Sequence, residues 1–397
     1  MFLVSGKVYY NVAMKILAVD IGTGTQDIFL YDSRLDVENG FKLIVPSPTM
    51  IVHRRLRQAT QAGQAVLLEG VTMGGGPSAW AAEAHIRAGL RLYATPEAAR
   101  SFNDDLERVA EMGVTVLSED EARGLPAEVQ RISLRDFDFA AICQALGAFG
   151  VRLNDLDAVA VGVFDHGNAP PEISDRQFRF DYLDERIRAQ NRLSAFAYRA
   201  EAIPASMTRL QAVRCSAQGV DAPLVVMDTA PAAVLGATFD PRVAARPRVM
   251  IANLGNFHTL AFRLGPQGIE GVFEHHTGLL DRAKLERLLN ALADGSLSRA
   301  DVFDDHGHGA LLYTHQPLQL SNGDFDVVVI GPRRALFQEA AGEGLRPYFA
   351  VPFGDMMIAG CFGLLAATAD LLPELGEAVR ASLAGRGGSG TPPWDVD

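Results

Sequence analysis

The sequence has little cysteine, little tryptophan and no excess of basic charge. Its three cysteines, Cys143, Cys215 and Cys361, lie far apart and form no CxxC pair. That pattern supplies neither a disulfide framework nor the spacing of an iron–sulfur cluster. Buried thiols in a reducing cytoplasm are the expectation. The formal net charge of −12 argues against broad nucleic-acid or anionic-membrane binding, since both need a basic surface. A local anion site remains compatible with it. No run approaches the roughly 18 apolar residues that a membrane span requires. A cytoplasmic protein is expected, with neither nucleic acid nor a membrane as partner.

At 397 residues the chain is too large for one small core, so a two-lobed protein or two domains is the prior. Residues 1–13 precede a second methionine, Met14, and lack the basic flank of a signal peptide. They read as an N-terminal extension, arising from a start at Met14 or forming an added strand. The Gly/Pro-rich residues 385–397 are expected to be a disordered tail.

Between these ends the pattern is α/β with a substantial parallel component. KILAVDI (15–21), DIFLYD (27–32) and FKLIV (41–45) read as strands, and Thr49 as the cap of a helix running to about Gly63. Thr95-Pro96-Glu97 predicts one helix to Met112. DAVAVGVF (157–164) and APLVVMD (222–228) are further strands. After Pro247 the chain begins again as it began: RVMIANLGNFHTLAFRL (248–264) is strand, glycine turn, strand. Superposing the two beginnings puts Asp20 on Asn253, Gly22 on Gly255 and Gln26 on Thr259, which suggests an internal repeat.

AVDIGTGTQDIFLYD, residues 18–32, carries the first candidate site. A dinucleotide fingerprint needs a third glycine opening a helix, but Asp27 stands there and a strand follows. A Walker loop needs GK[ST], which is missing. What remains is a hairpin with Asp20 at the strand end and hydroxyls at the tip. The amides of Gly22, Thr23, Gly24 and Thr25 can cradle phosphate oxygens, and Asp20 can hold a hydrated Mg²⁺ facing them. An ordinary glycine-rich hairpin is the alternative.

Several segments together resemble the actin-like ATPase superfamily, which includes sugar kinases, heat-shock chaperones and actin. They are the hairpin at 16–32, the hairpin at 249–264, MDTAPAAVLGA (227–237), VVVIGPRRAL (327–336) and MMIAGCFGLLAA (356–367). The resemblance implies an α/β, two-lobed actin-like ATPase fold with duplicated ribonuclease-H-like lobes. Lobe I would span 14–240 and lobe II 241–354, with residues 355–384 a connecting helix returning to lobe I. It implies ATP and Mg²⁺ between the lobes, with the first hairpin including Gln26, a second hairpin formed by Asn253, Gly255, Asn256, His258 and Thr259, and an adenosine-like turn at Gly331 and Arg333. LLEGVTMGGGP, NLGNFHT, DDHGHG and IGPRR also resemble a branch labelled pyruvate formate-lyase activating enzyme. That label implies a radical-SAM cluster held by three closely spaced cysteines. This chain has no such trio, so no iron–sulfur cluster is expected.

The second hairpin starts with Asn253 where the superfamily usually has Asp; an amide adds no charge for a metal and cannot act as a base. For phosphoryl transfer, Asp165 at the end of the 157–164 strand is the leading candidate base, His166 the second, and turn capping the alternative for Asp165. The glycines of Met73-Gly74-Gly75-Gly76-Pro77 can bind an anion or simply permit a crowded turn. His275-His276 and Asp304-Asp305-His306-Gly307-His308 supply metal-ligand types, with exposed loop histidines as the plainer reading. Asn103-Asp104-Asp105 reads as a solvated helix face. The expectation is Mg²⁺-dependent phosphoryl transfer to a small molecule, with two alternatives: a nucleotide-driven switch read by a protein client, or a non-hydrolysing sensor.

Overall fold

The computed structural model describes residues 13–320, 323–337, 344–388 and 391–396. The expected N-terminal extension therefore lies almost wholly outside the described residues, as do 389, 390 and 397 of the tail. The strands in chain order are β1 (Lys15–Ile21), β2 (Thr25–Asp32), β3 (Phe41–Pro46), β4 (Val66–Gly70), β5 (Leu92–Ala94), β6 (Thr115–Val116), β7 (Gln130–Leu134) and β8 (Ala158–Val163). They continue as β9 (Ala197–Arg199), β10 (Leu224–Asp228), β11 (Val249–Leu254), β12 (His258–Gly265), β13 (Gly268–His276), β14 (Gly309–Leu312), β15 (Val327–Ile330) and β16 (Pro347–Phe349).

Two six-stranded sheets are built to one plan. The first runs β3-β2-β1-β8-β10-β9 and the second β14-β13-β12-β11-β15-β16. In each, an antiparallel meander of three strands is followed by two strands parallel to its first: β8 and β10 beside β1, β15 and β16 beside β11. The central strands are continuous apolar runs because they are covered on both faces, as β1 and β8 are. A four-stranded parallel sheet, β6-β5-β4-β7, interrupts the first plan between β3 and β8 and has its own core around Leu68, Ala94 and Ile132.

One apolar core joins the facing sides of the two large sheets, taking in Val19 and Val161 from the first and Ile251, Phe262 and Ile330 from the second. The helices Thr229–Ala237 and Ala359–Leu371 cross inside it at backbone contact. A Cβ on Gly236 would sit 1.7 Å from the Ala359 carbonyl oxygen, and one on Gly363 1.9 Å from that of Ala232. Gly236→Ala gains helix propensity of about 1 kcal/mol but forces the helices apart, so a net loss of about 1–3 kcal/mol is expected in denaturant unfolding. An unchanged midpoint would contradict the crossing.

Local departures from the sequence reading have simple causes. Ser47, not Thr49, caps the first helix, which runs Pro48–Gln61 with proline at its first position. The helix expected from Pro96 to Met112 breaks into Pro96–Ala99 and Leu106–Glu111. Asn103 and Asp105 lie in the break and bond to backbone amides two residues on, so Asn103-Asp104-Asp105 is a turn and cap, not a helix face. The short strands β7, β9, β14 and β16 were not anticipated. PRRALFQEA (332–340) reads in the sequence as a helix; its described part is a short 3₁₀ turn, Arg334–Phe337, and 338–340 lie outside the described residues. No helix among the described residues is long and apolar enough to cross a membrane.

Candidate functional site

The shared plan brings two glycine hairpins face to face. In the first, the Gly22 amide donates to the Thr25 carbonyl at 2.9 Å; in the second, the Gly255 amide donates to the His258 carbonyl at 3.0 Å. The same bond at corresponding positions gives the internal repeat a structural counterpart. The tips nearly touch: a Cβ on Gly24 would lie 3.0 Å from Asn256 Nδ2. Ser47 occupies the carbonyl side of the first tip, its amide donating to the Gly24 carbonyl and its hydroxyl to that of Thr23. Between the hairpins lies a cavity of about 310 Å³. Its walls include Gly22, Thr23, Gly24 and Thr25 from one hairpin, and Gly255, Asn256 and His258 from the other. Asn253, Gly331 and the Gly74–Gly76 turn also line it. Gly331 has φ 96°, and a Cβ there would lie 2.7 Å from Asn253 Oδ1. Only glycine suits that backbone and that approach.

Two carboxylates stand at the cavity wall. Asp20 and Asp27 are cross-strand partners on β1 and β2, and both are buried. The Thr229 hydroxyl donates to Asp20 Oδ1. Gly162 and Gly360 leave the space that the Asp20 carboxylate occupies, since a Cβ on either would fall 2.8 Å and 1.9 Å from its oxygens. Burial, opposed by the Thr229 bond, pushes the Asp20 carboxyl up to about 7. Burial, with Asp20 facing it, pushes Asp27 up to about 8. Asp27 Oδ1 is buried with no hydrogen-bond partner. Two acids that resist ionising together, one with an unused oxygen, are a donor set that a hard divalent cation would satisfy.

Four residues singled out in the sequence lie elsewhere. Gln26 turns away and donates from Nε2 to the Pro46 carbonyl at 3.1 Å. Thr259 is buried on the other face of β12, its hydroxyl 2.9 Å from that of Thr277. Arg333 contributes its backbone amide to the Leu254 carbonyl at 2.9 Å and is exposed. Asp165 is a buried cap: its oxygens accept from the amides of Gly167 at 2.8 Å and Leu210 at 2.9 Å. With both oxygens engaged and no place in the cavity wall, it is not set to take a substrate proton. Its neighbour His166 does line the cavity.

His166 belongs to a group that the sequence did not reveal. Ligand atoms of His166, His258, Glu274 and His308 all lie within 4.8 Å of one another. Strand periodicity explains the placement. His258 pairs with His276 and Leu260 with Glu274, so His258, Glu274 and His276 share one face of the sheet. His275 falls on the other face, where its Nε2 meets the Asp305 carbonyl at 3.1 Å. The His308 amide donates to the Glu274 carbonyl at 2.9 Å, which brings the DDHGHG loop alongside. His306 has φ 64° in that loop and is exposed. Of the two pairs considered in the sequence, one member of each reaches the group: His308 joins it, and the His276 ring lies 4.7 Å from that of His308.

Behind this group sits the fully buried Arg179, from the helix Asp175–Ala189. It donates from Nε to Glu274 Oε2 at 3.1 Å, and from Nη1 to the Asp165 carbonyl at 3.0 Å and to the Asp228 carboxylate. Asp228 in turn caps the helix that carries Thr229, the partner of Asp20. Burial alone would raise the Glu274 carboxyl; Arg179, His308 and His258 outweigh it and hold the group well below the usual carboxylate range. Burial pushes His308 down to about 3. A second pair, half-buried Arg209 with buried Asp136 at 2.6 Å, backs the Gly74 turn, whose amide donates to Asp136 at 3.3 Å.

Residues 73–336 match the family described as "Putative pyruvate format-lyase activating enzyme (DUF1786)", a span of about two thirds of the chain. The chain belongs to this family. The match takes in the Gly74 turn, the second hairpin, Gly331 and all four members of the histidine–glutamate group. No curated protein matches the sequence. Among solved structures, the chain is similar to a Ppx/GppA family member of Aquifex aeolicus, at 9% identity over 94% of this chain and 88% of that one, with a TM-score of 0.24. It is also similar to an exopolyphosphatase-like protein, at 10% identity over 74% of this chain and 58% of that one, with a TM-score of 0.20. Nucleotide-free acetone carboxylase matches at 12% identity over 66% of this chain and 45% of that one, with a TM-score of 0.19. The chain thus spans only part of the last two proteins, and likenesses at these scores carry no argument about its activity.

Proposed function

We propose that the chain binds ATP, or a related phosphate-bearing nucleotide, with Mg²⁺ in the cavity between its two large sheets. This is the arrangement of a two-lobed actin-like ATPase fold with duplicated ribonuclease-H-like lobes. The observation that carries the reading is the pair of like-built glycine hairpins whose tips meet at Gly24 and Asn256. Phosphates would lie along the tips, where glycine admits close approach. Asp20 and Asp27 would hold Mg²⁺, which would neutralise phosphate charge; the orphaned oxygen of Asp27 fits that role.

Asn253 at the position corresponding to Asp20, and Asp165 tied into a turn, favour a switch or sensor over a kinase. Activation of pyruvate formate-lyase through a cysteine-bound cluster does not fit. Cys143, Cys215 and Cys361 sit on three separate helices, and burial pushes the Cys361 thiol well up. Timed ADP release from ATP and Mg²⁺ sorts the remaining readings. Release stimulated by a small hydroxylated metabolite supports a kinase, release stimulated by protein extract supports a switch, and nucleotide binding without release supports a sensor. If no nucleotide stabilises the protein against heat, all three fall.

A further inference from the structure

We propose that His166, His258, Glu274 and His308 form a binding site for a divalent transition cation of the zinc type, joining the two large sheets at the wall of the cavity. His166 comes from the loop after β8 in the first sheet; the other three come from the second. The site is separate from the Asp20–Asp27 pair and does not depend on nucleotide binding.

The spacing suits one ion. One ligand atom from each of the four lies within 4.8 Å of the others; Glu274 Oε1 is 3.0 Å from His258 Nδ1, 3.6 Å from His308 Nδ1 and 4.0 Å from His166 Nε2. Metal–nitrogen bonds of about 2.0–2.1 Å imply ligand separations of about 3.3 Å around a tetrahedral ion. A second observation points the same way. His308 is 2% exposed, yet its Nδ1 is buried without a hydrogen-bond partner and faces Glu274. A bound cation would give this buried atom the partner it lacks.

The surroundings resemble the support that metal ligands need. Arg179 holds the second oxygen of Glu274 and so fixes the carboxylate's orientation. Phe164 stacks on His258 with ring centroids 4.5 Å apart, under the Arg179 guanidinium. Three imidazoles and one carboxylate select zinc-like ions over Mg²⁺ and Ca²⁺, which prefer oxygen alone. The Asp20–Asp27 pair has the opposite preference, so the two places would sort two cation classes. His166 and His258 also line the cavity, which leaves the ion a side open to water or to a phosphate oxygen.

The test uses the full chain, stripped with a chelator and dialysed, and titrated with Zn²⁺ and separately with Co²⁺ in excess Mg²⁺ and without nucleotide. The expected result is one ion per chain that Mg²⁺ does not displace, with ligand-field absorption from bound Co²⁺. His166→Ala lies on a partly exposed loop side chain and should keep the metal-free unfolding midpoint while binding Zn²⁺ about 100-fold more weakly or worse, since even outer-shell partners cost 10–100-fold. His308→Ala should lose binding similarly. Wild-type protein that takes up neither ion stoichiometrically, or a His166→Ala variant that binds as wild type does, would overturn the proposal. Either result leaves the phosphate reading standing, because no nucleotide is present.

Discussion

Replacing Arg179 with methionine should cost about 3–5 kcal/mol of folding stability, because it leaves two buried carboxylates without their cation. Glu274 is completely buried and Asp228 is 2% exposed, and Arg179 bridges them. Methionine matches much of the length and fills the space, so the loss reports charge and not a cavity. The Asp165 carbonyl also loses its donor. Arg179→Lys should rescue only part of the loss. An ammonium is a single point charge, whereas the guanidinium presents Nε to Glu274 and Nη1 to Asp228 at once. Denaturant unfolding of both variants measures this. A loss under about 1 kcal/mol for the methionine variant would mean that the pair does not stay ionised in the folded protein.

The second large effect is on binding and runs opposite to stability. Asp20→Asn keeps the side chain's shape and an oxygen that can accept from Thr229, but it removes the charge that would face Mg²⁺. Affinity for ATP in the presence of Mg²⁺ should fall about 10–100-fold, or roughly 1.4–2.7 kcal/mol. Without Mg²⁺ the same variant should bind ATP at least as well as wild type, since a negative charge near the phosphates is gone. Its folding stability should hold or rise, because burial disfavours the Asp20 charge and that charge in turn opposes ionisation of Asp27. Calorimetric titration with and without Mg²⁺ separates these effects. Equal loss in both conditions would remove Asp20 from any metal role.

The plan of the fold was legible in the sequence, because its signals are local. The apolar runs of β1, β8 and β11 mark covered strands, and the GTGT and GNFHT turns sit between strand pairs in both halves. Matching Asp20 to Asn253 placed both residues at the cavity wall, and the small residues of 227–237 and 356–367 are what let the two helices cross at Gly236 and Gly363. Strands of three to five residues, β7, β9, β14 and β16, were missed, since so short a run carries too little periodicity.

The histidine–glutamate group was hidden for a different reason. Its members are separated by up to 142 positions; β12–β13 register and the β14 pairing gather His258, Glu274 and His308, and the packing of the first sheet's β8 end against them adds His166. A partial signal existed. In EHH at the end of β13, alternation puts Glu274 and His276 on one face and His275 on the other, so reading the strand two residues at a time would have divided the histidines correctly. Asp165 shows the converse. Its place at a strand end suggested chemistry, but the amides of Gly167 and Leu210 were its partners, and a cap of that kind looks the same in sequence.

The most direct measurement is equilibrium binding of the full chain to ATP with Mg²⁺, ATP with a chelator, and adenosine. The account predicts one nucleotide per chain, tighter with Mg²⁺ than without, and much weaker binding of adenosine, because the proposal lays the phosphates along the hairpin tips at Gly22–Thr25 and Gly255–His258. Adenosine binding as tightly as ATP, or no binding of any phosphate-bearing nucleotide, would contradict it.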